Sequence, residues 1–138
     1  MIIVRGRDGR PSDQRTATFT GTVLGDSVLP RTSTDPASVT INTVTFLPGS
    51  RTFWHSHETG QILQVTAGEG WVCSDGGVPQ VLRIGDTVWV PPGERHWHGA
   101  TTDSYLVHVA TSLGETFWEH EVEETDYRST IDESGSTA

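Results

Sequence analysis

The chain has no lysine: all nine of its cations are arginine. Schiff-base chemistry and attachment of pyridoxal phosphate both need a lysine amine, so both are excluded. Cysteine is almost as scarce. Cys73 stands alone, which rules out an intramolecular disulfide. Its setting in the strand-like run Trp-Val-Cys-Ser reads as a packed, inert thiol rather than a nucleophile. No apolar run approaches the roughly 20 residues of a membrane-spanning helix. The start, Met-Ile-Ile-Val-Arg, is too short for the apolar region of a secretory signal. The expectations are therefore a cytoplasmic location and no membrane partner. Positive charge is in deficit, with 9 basic against 18 acidic residues and a net charge of −9. Such a surface repels phosphate backbones, which argues against nucleic acid as a partner.

What the chain does have is punctuation. Fifteen Gly and seven Pro are scattered through 138 residues, between short runs rich in Val, Ile, Thr and Trp. That pattern belongs to an all-β protein of one domain. Strands are expected at Ala17–Leu24, Val39–Phe46, Thr52–His57, Gln61–Thr66, Gly70–Ser74, Gln80–Ile84, Thr87–Val90 and Tyr105–Thr111, with an edge strand at Ile2–Val4. Asp75-Gly76-Gly77 reads as a hairpin turn. Leu47-Pro48-Gly49 and Pro91-Pro92-Gly93 are further turns. Helical periodicity is weak and confined to Thr116–Glu124. The domain is expected to span 1–125, followed by a polar, disordered tail over 126–138.

Two stretches carry chemistry. From Gly49 to Gly68 the chain places His55, His57 and Gln61 at i, i+2 and i+6; from Gly85 onward a second stretch supplies His96. Side chains two apart on a strand share a face, so His55 and His57 can both face inward. A sharp turn at Glu58-Thr59-Gly60 keeps Gln61 available to the same face. Convergent imidazoles are what a divalent cation needs, and they suit zinc, copper, iron and nickel.

These stretches resemble the two signature motifs of the cupin superfamily. Gly49, His55, His57 and Gly68 fit the first motif, with Gln61 where most cupins carry Glu. Gly85, Pro91, Gly93 and His96 fit the second, with Ala100 where Asn is usual. The motif core covers 39–112. The resemblance implies a single-domain jelly-roll β-barrel, a homodimer, and His55, His57, Gln61 and His96 as metal ligands. An amide contributes only a carbonyl oxygen, so this set leaves a divalent ion its full charge and favours Lewis-acid work. Three His plus a Gln, the run His96-Trp97-His98-Gly99-Ala100-Thr101 and the later His108 resemble the small bacterial cupins with manganese-dependent hydroxynitrile lyase activity. That narrower resemblance implies a manganese-dependent lyase acting on a small-molecule cyanohydrin such as mandelonitrile, and makes Asn42 and Val44 cavity-lining positions.

The remaining residues admit two readings each. His98 either faces the cavity as an acid/base group or caps the barrel mouth. His108 shares a strand face with Leu106 and Ala110. It is either a proton-transfer group or a buried structural histidine. Phe53, two before His55, is expected on the same face, lining the pocket. Trp54, Trp89 and Trp118 read as core or dimer-face packing, and His120 and the charges of Glu115–Glu124 as a solvated face. The functional alternatives are a cupin dioxygenase using iron or copper, and a non-enzymatic cupin that binds a small molecule.

Overall fold

The computed structural model describes residues 1–6 and 9–129. Its strands are β1 Asp13–Gln14, β2 Phe19–Thr20, β3 Val23–Leu29, β4 Val39–Phe46, β5 Arg51–Thr52, β6 His55–His57, β7 Gly60–Ser74, β8 Gln80–Arg83, β9 Thr87–Val90, β10 His96–Ala100, β11 Leu106–Leu113 and β12 Thr116–Trp118. One helical segment, α1, follows at 124–129. The fold is an all-β jelly roll.

Strand β7 organises it. Its first half pairs with β11 and β9, and its second half with β10 and β8. One strand therefore runs from the β1-β3-β4-β11 sheet into the sheet holding β10, β5 and β2. The crossing sits at Gly68, with φ +76, beside a register shift between Val107 and His108. A Cβ at Gly68 would lie 1.9 Å from the Tyr105 carbonyl oxygen, so only glycine permits this close approach.

Between the sheets lies an apolar core of Val23, Val44, Phe46, Val65, Leu82, Ala100 and Leu106. Phe46 and Leu106 are wholly buried, each contributing about 1.5–3 kcal/mol by burial. A second cluster joins Trp54, Trp71, Cys73, Trp97, Val122 and Tyr127. On β10, Trp97 alternates with His96 and His98, so this cluster lies on the opposite face from the histidines. Cys73 is buried there, its thiol donating to the Ser74 and Gly77 carbonyls, as expected of a packed thiol.

Several sequence expectations shift. Val39–Phe46 and Thr87–Val90 match β4 and β9 end to end. Ile2–Val4 is not a strand; Ile2 and Ile3 are exposed at 65% and 63%, and the edge position goes to β1 instead. Ala17–Leu24 divides into β2 and β3 at Gly21, whose φ of +88 turns the chain against Ser50. Thr116–Glu124 is not helical: its β-branched and aromatic start pairs with β6 as β12. The tail expected from 126 is ordered at least to 129. Tyr127 is 1% exposed and donates to the Ala100 carbonyl at 2.7 Å, beneath the guanidinium of Arg51 at 4.3 Å. Residues 130–138 of that expected tail lie outside the described residues.

Candidate metal centre and its cavity

The two glycine turns foreseen in the sequence bring the histidines together. Gly93, with φ +76, donates its N–H to the His57 carbonyl at 2.9 Å, fastening the second motif to the end of β6. Strand β10 then pairs with β6 so that His96 faces His55 across the ladder. Their ring centroids are 4.2 Å apart, and His57 stands 5.0 Å from His55. Ring nitrogens of His55, His96 and His98 all lie within 4.8 Å of one another, a group able to hold a metal ion.

The hydrogen bonds around these rings set their lone pairs. His55 Nδ1–H donates to the Phe53 carbonyl at 2.8 Å, and His96 Nδ1–H to the Glu94 carbonyl at 3.0 Å. Each therefore carries its lone pair on Nε2. Gln61 Nε2 donates to Ser112 Oγ at 3.1 Å, which aims Oε1 at His96 Nε2, 3.0 Å away. Two lone pairs facing at that distance repel unless a cation lies against both. His57 Nδ1 lies 3.0 Å from Thr116 Oγ1, while its Nε2 is buried with no partner among the described residues. His98 Nε2 is buried and unpartnered in the same way. The donor set fits a divalent cation, and the carbonyl and hydroxyl contacts behind it are the kind that orient metal-bound imidazoles.

Burial keeps these rings neutral, as a metal ligand must be. His57 is pulled down to about 4 by burial and then by the charge of His96. His55 falls well below its ordinary range through burial, then His96 and His57, against a smaller upward pull from the Phe53 carbonyl. His96 is lowered by burial despite the Glu94 carbonyl.

His98, a member of this group, sets its Nδ1 2.9 Å from His108 Nε2. Burial lowers His108 to about 4, and burial with the neighbouring His108 and His55 drives His98 well down. Both rings pack against Phe46, that of His108 at 5.2 Å and that of His98 at 5.9 Å between centroids. The two histidines line a cavity of about 470 Å³ together with His55, His57 and Gln61.

A cupin-domain family profile matches residues 42–111. The chain belongs to the cupin family. An (R)-mandelonitrile lyase from Granulicella tundricola is 49% identical over 92 residues, covering 67% of this cupin and 69% of that protein. A crystal structure of a cupin-like protein from Thermotoga maritima superposes with a TM-score of 0.80 at 36% identity, over 94% of this chain and 96% of that one. A polyketide cyclase from Streptomyces resistomycificus shares the fold alone, with a TM-score of 0.68 at 16% identity over 95% and 94% of the two chains. This is a small cupin resembling the hydroxynitrile lyases.

Of the residues singled out from the cupin's sequence, His55, His57, Gln61, His98, His108, Asn42 and Val44 line the one cavity, and His96 adjoins it through Gln61. Of the two readings of His98, the structure places the ring in the cavity. Phe53 does not line it. The chain bends at 53–54, between β5 and β6, which breaks the alternation and lets Thr52 and His55 share the inner face; Phe53 serves through its carbonyl instead. Lining residues not foreseen as such include Thr116, Trp118 and Arg15. Trp118 is not core but half-exposed at the cavity, its ring 4.5 Å from that of His55. Its signal was the alternation Thr116, Trp118, masked by the acidic residues that follow. Trp89, at 54% exposed, is not core either, whereas Trp54 is buried beneath Arg95 at 4.0 Å.

Proposed function

We propose that this cupin is a metal-dependent lyase that cleaves and forms the carbon–carbon bond of cyanohydrins, giving an aldehyde and cyanide. The observation that carries the reading is the hydrogen-bonded His98–His108 pair, buried in the same cavity as His55, His57 and Gln61. The mandelonitrile lyase relative supports the same chemistry.

In this reading His55, His57, Gln61 and His96 hold the ion, manganese being the metal proposed, and His98, though near enough to His55 and His96 to join them, is left for the substrate. Bound there, it supplies Lewis-acid stabilisation of negative charge on a substrate oxygen or nitrile. In this reading His98 donates its Nδ1–H to His108 Nε2, 2.9 Å away. That fixes the lone pair of His98 on Nε2, facing the cavity. The substrate hydroxyl proton passes to this nitrogen, and His108 steadies the resulting imidazolium. The electron pair of the breaking carbon–carbon bond leaves with cyanide, which takes up the proton as hydrogen cyanide. Thr52, Val44 and Trp118 shape the surrounding wall and limit water.

The test is benzaldehyde release from racemic mandelonitrile by the manganese-loaded protein, beside His96→Ala, His98→Ala and His108→Ala. Loss of the acid/base group is expected to cost about 10²-fold or more, and His96→Ala should also weaken metal retention. Full release by these variants would sink the reading. Oxygen uptake by the iron-loaded protein on a dicarbonyl, without cyanohydrin cleavage, would move it to the dioxygenases.

A further inference from the structure

The cavity wall is electrostatically unlike the rest of the chain. The protein carries a net charge of −9, yet among the described residues lining the cavity there is no Asp or Glu, and one cation, Arg15. Arg15 marks the solvent end: its side chain is 29% exposed, where His55, His57, His98 and His108 are each at 3% or less.

The position of the guanidinium is built. Strand β1 pairs with β3, and Arg15 N–H donates to the Val23 carbonyl at 2.8 Å, continuing the ladder. The side chain then lies flat across Gly25. A Cβ there would fall 2.4 Å from Arg15 Nε and Cζ, so the absent side chain is the slot the guanidinium occupies. From that slot Nη2 donates to Asn42 Oδ1 at 3.3 Å, and Nε pairs with Asp13. Asp13 is 65% exposed, so this ion pair sits in water, where such pairs contribute little. Of the five N–H donors of a guanidinium, these contacts engage two. With Oδ1 occupied by Arg15, Asn42 presents its Nδ2 donors beside them.

We propose that Arg15, with Asn42, recognises an anionic group on the ligand, so that the substrate of this site carries a carboxylate. The inference rests on the lyase reading above for the reacting end and adds the chemistry of the far end. Asn42 lies two residues from Val44 on β4, and Val44 is the cross-strand partner of His108. Two strand residues span roughly 7 Å, which separates the guanidinium end from the histidine pair. A para-carboxylated aromatic aldehyde, or its cyanohydrin, has this reach, and a cavity of about 470 Å³ has room for it. A carboxylate also suits a guanidinium better than any neutral group, through two parallel charge-assisted hydrogen bonds.

The experiment is calorimetric titration of the manganese-loaded full chain with 4-formylbenzoate and with its methyl ester, in the wild type, Arg15→Gln and Arg15→Lys. No cyanide is present, so the reading is binding and not turnover. The wild type should bind the acid at least about tenfold more tightly than the ester. Arg15→Gln should erase that preference, and Arg15→Lys should keep part of it, with melting temperatures unchanged. Equal affinities in the wild type, a preference surviving in Arg15→Gln, or no binding of either compound would each overturn the proposal. Cyanide is added afterwards. Cyanohydrin formation no faster than without protein, alongside an intact acid preference, overturns the lyase reading and leaves the role of Arg15 standing. Cyanohydrin formation accelerated over the protein-free reaction, without any acid preference, does the reverse.

Discussion

Lowering the pH of the metal-free protein from 7 to 5 should destabilise it by about 4 kcal/mol through two histidines alone. His57 and His108 each fall from an ordinary 6.5 to about 4 on folding. Their folded pKa is depressed, so the unfolded chain binds the extra protons between these values. Stability is therefore complete above 6.5, declines as pH falls toward 4, and levels off below it. At pH 5 each group contributes a loss of about 2 kcal/mol relative to pH 7. His55, His96 and His98 are displaced in the same direction and deepen the decline. Unfolded carboxylates titrate near 4, so most of their effect lies below this window. Against a typical total stability of about 5–15 kcal/mol, the loss leaves the metal-free chain marginal at pH 5. Urea unfolding at the two pH values, on chelator-treated protein, reads it directly. A loss under about 1 kcal/mol would refute the reasoning, because the imidazoles would then take up protons inside the folded barrel.

Gly68→Ala should cost at least about 3 kcal/mol in urea unfolding, from overpacking and left-handed strain together; a near-neutral result would mean that β7 can cross the sheets without the close approach to Tyr105. Tyr127→Phe removes the donor to the Ala100 carbonyl and should lower stability by about 1–2 kcal/mol, with manganese affinity unchanged; an equal loss of metal binding would contradict its placement on the outer face. Ser112→Ala frees the Gln61 amide to rotate and should weaken divalent-metal binding about 10-fold or more by calorimetry. Unchanged affinity there would show that Gln61 needs no such support.

The sequence carried most of the site because its information is local. Glycine turns and a two-residue period fix which side of a strand each imidazole takes, and His55, His57 and Gln61 do line one cavity. Those rules failed at Phe53, where a bend between two short strands resets the alternation, and nothing in Thr-Phe-Trp-His announces a bend. Trp118 and Thr116 were hidden for another reason. They reach His55 and His57 through long-range pairing of β12 with β6, and pairing partners are not written in any window of the chain. Arg15 was illegible in the same sense: its slot exists only because Gly25 comes to lie beneath it. The ordered segment at 124–129 was missed because one buried tyrosine outweighs a polar composition.

Strand β10 has both of its faces occupied, all five residues being buried. His96 and His98 turn toward the cavity, while Trp97 turns the other way, into the cluster capped by Tyr127 and Val122. The strand is thus a partition wall with plumbing on one side and cladding on the other. Any shift that loosens the cladding moves the fittings by the same displacement. Tuning of this cavity is therefore open to substitutions far outside it, on a surface no ligand touches.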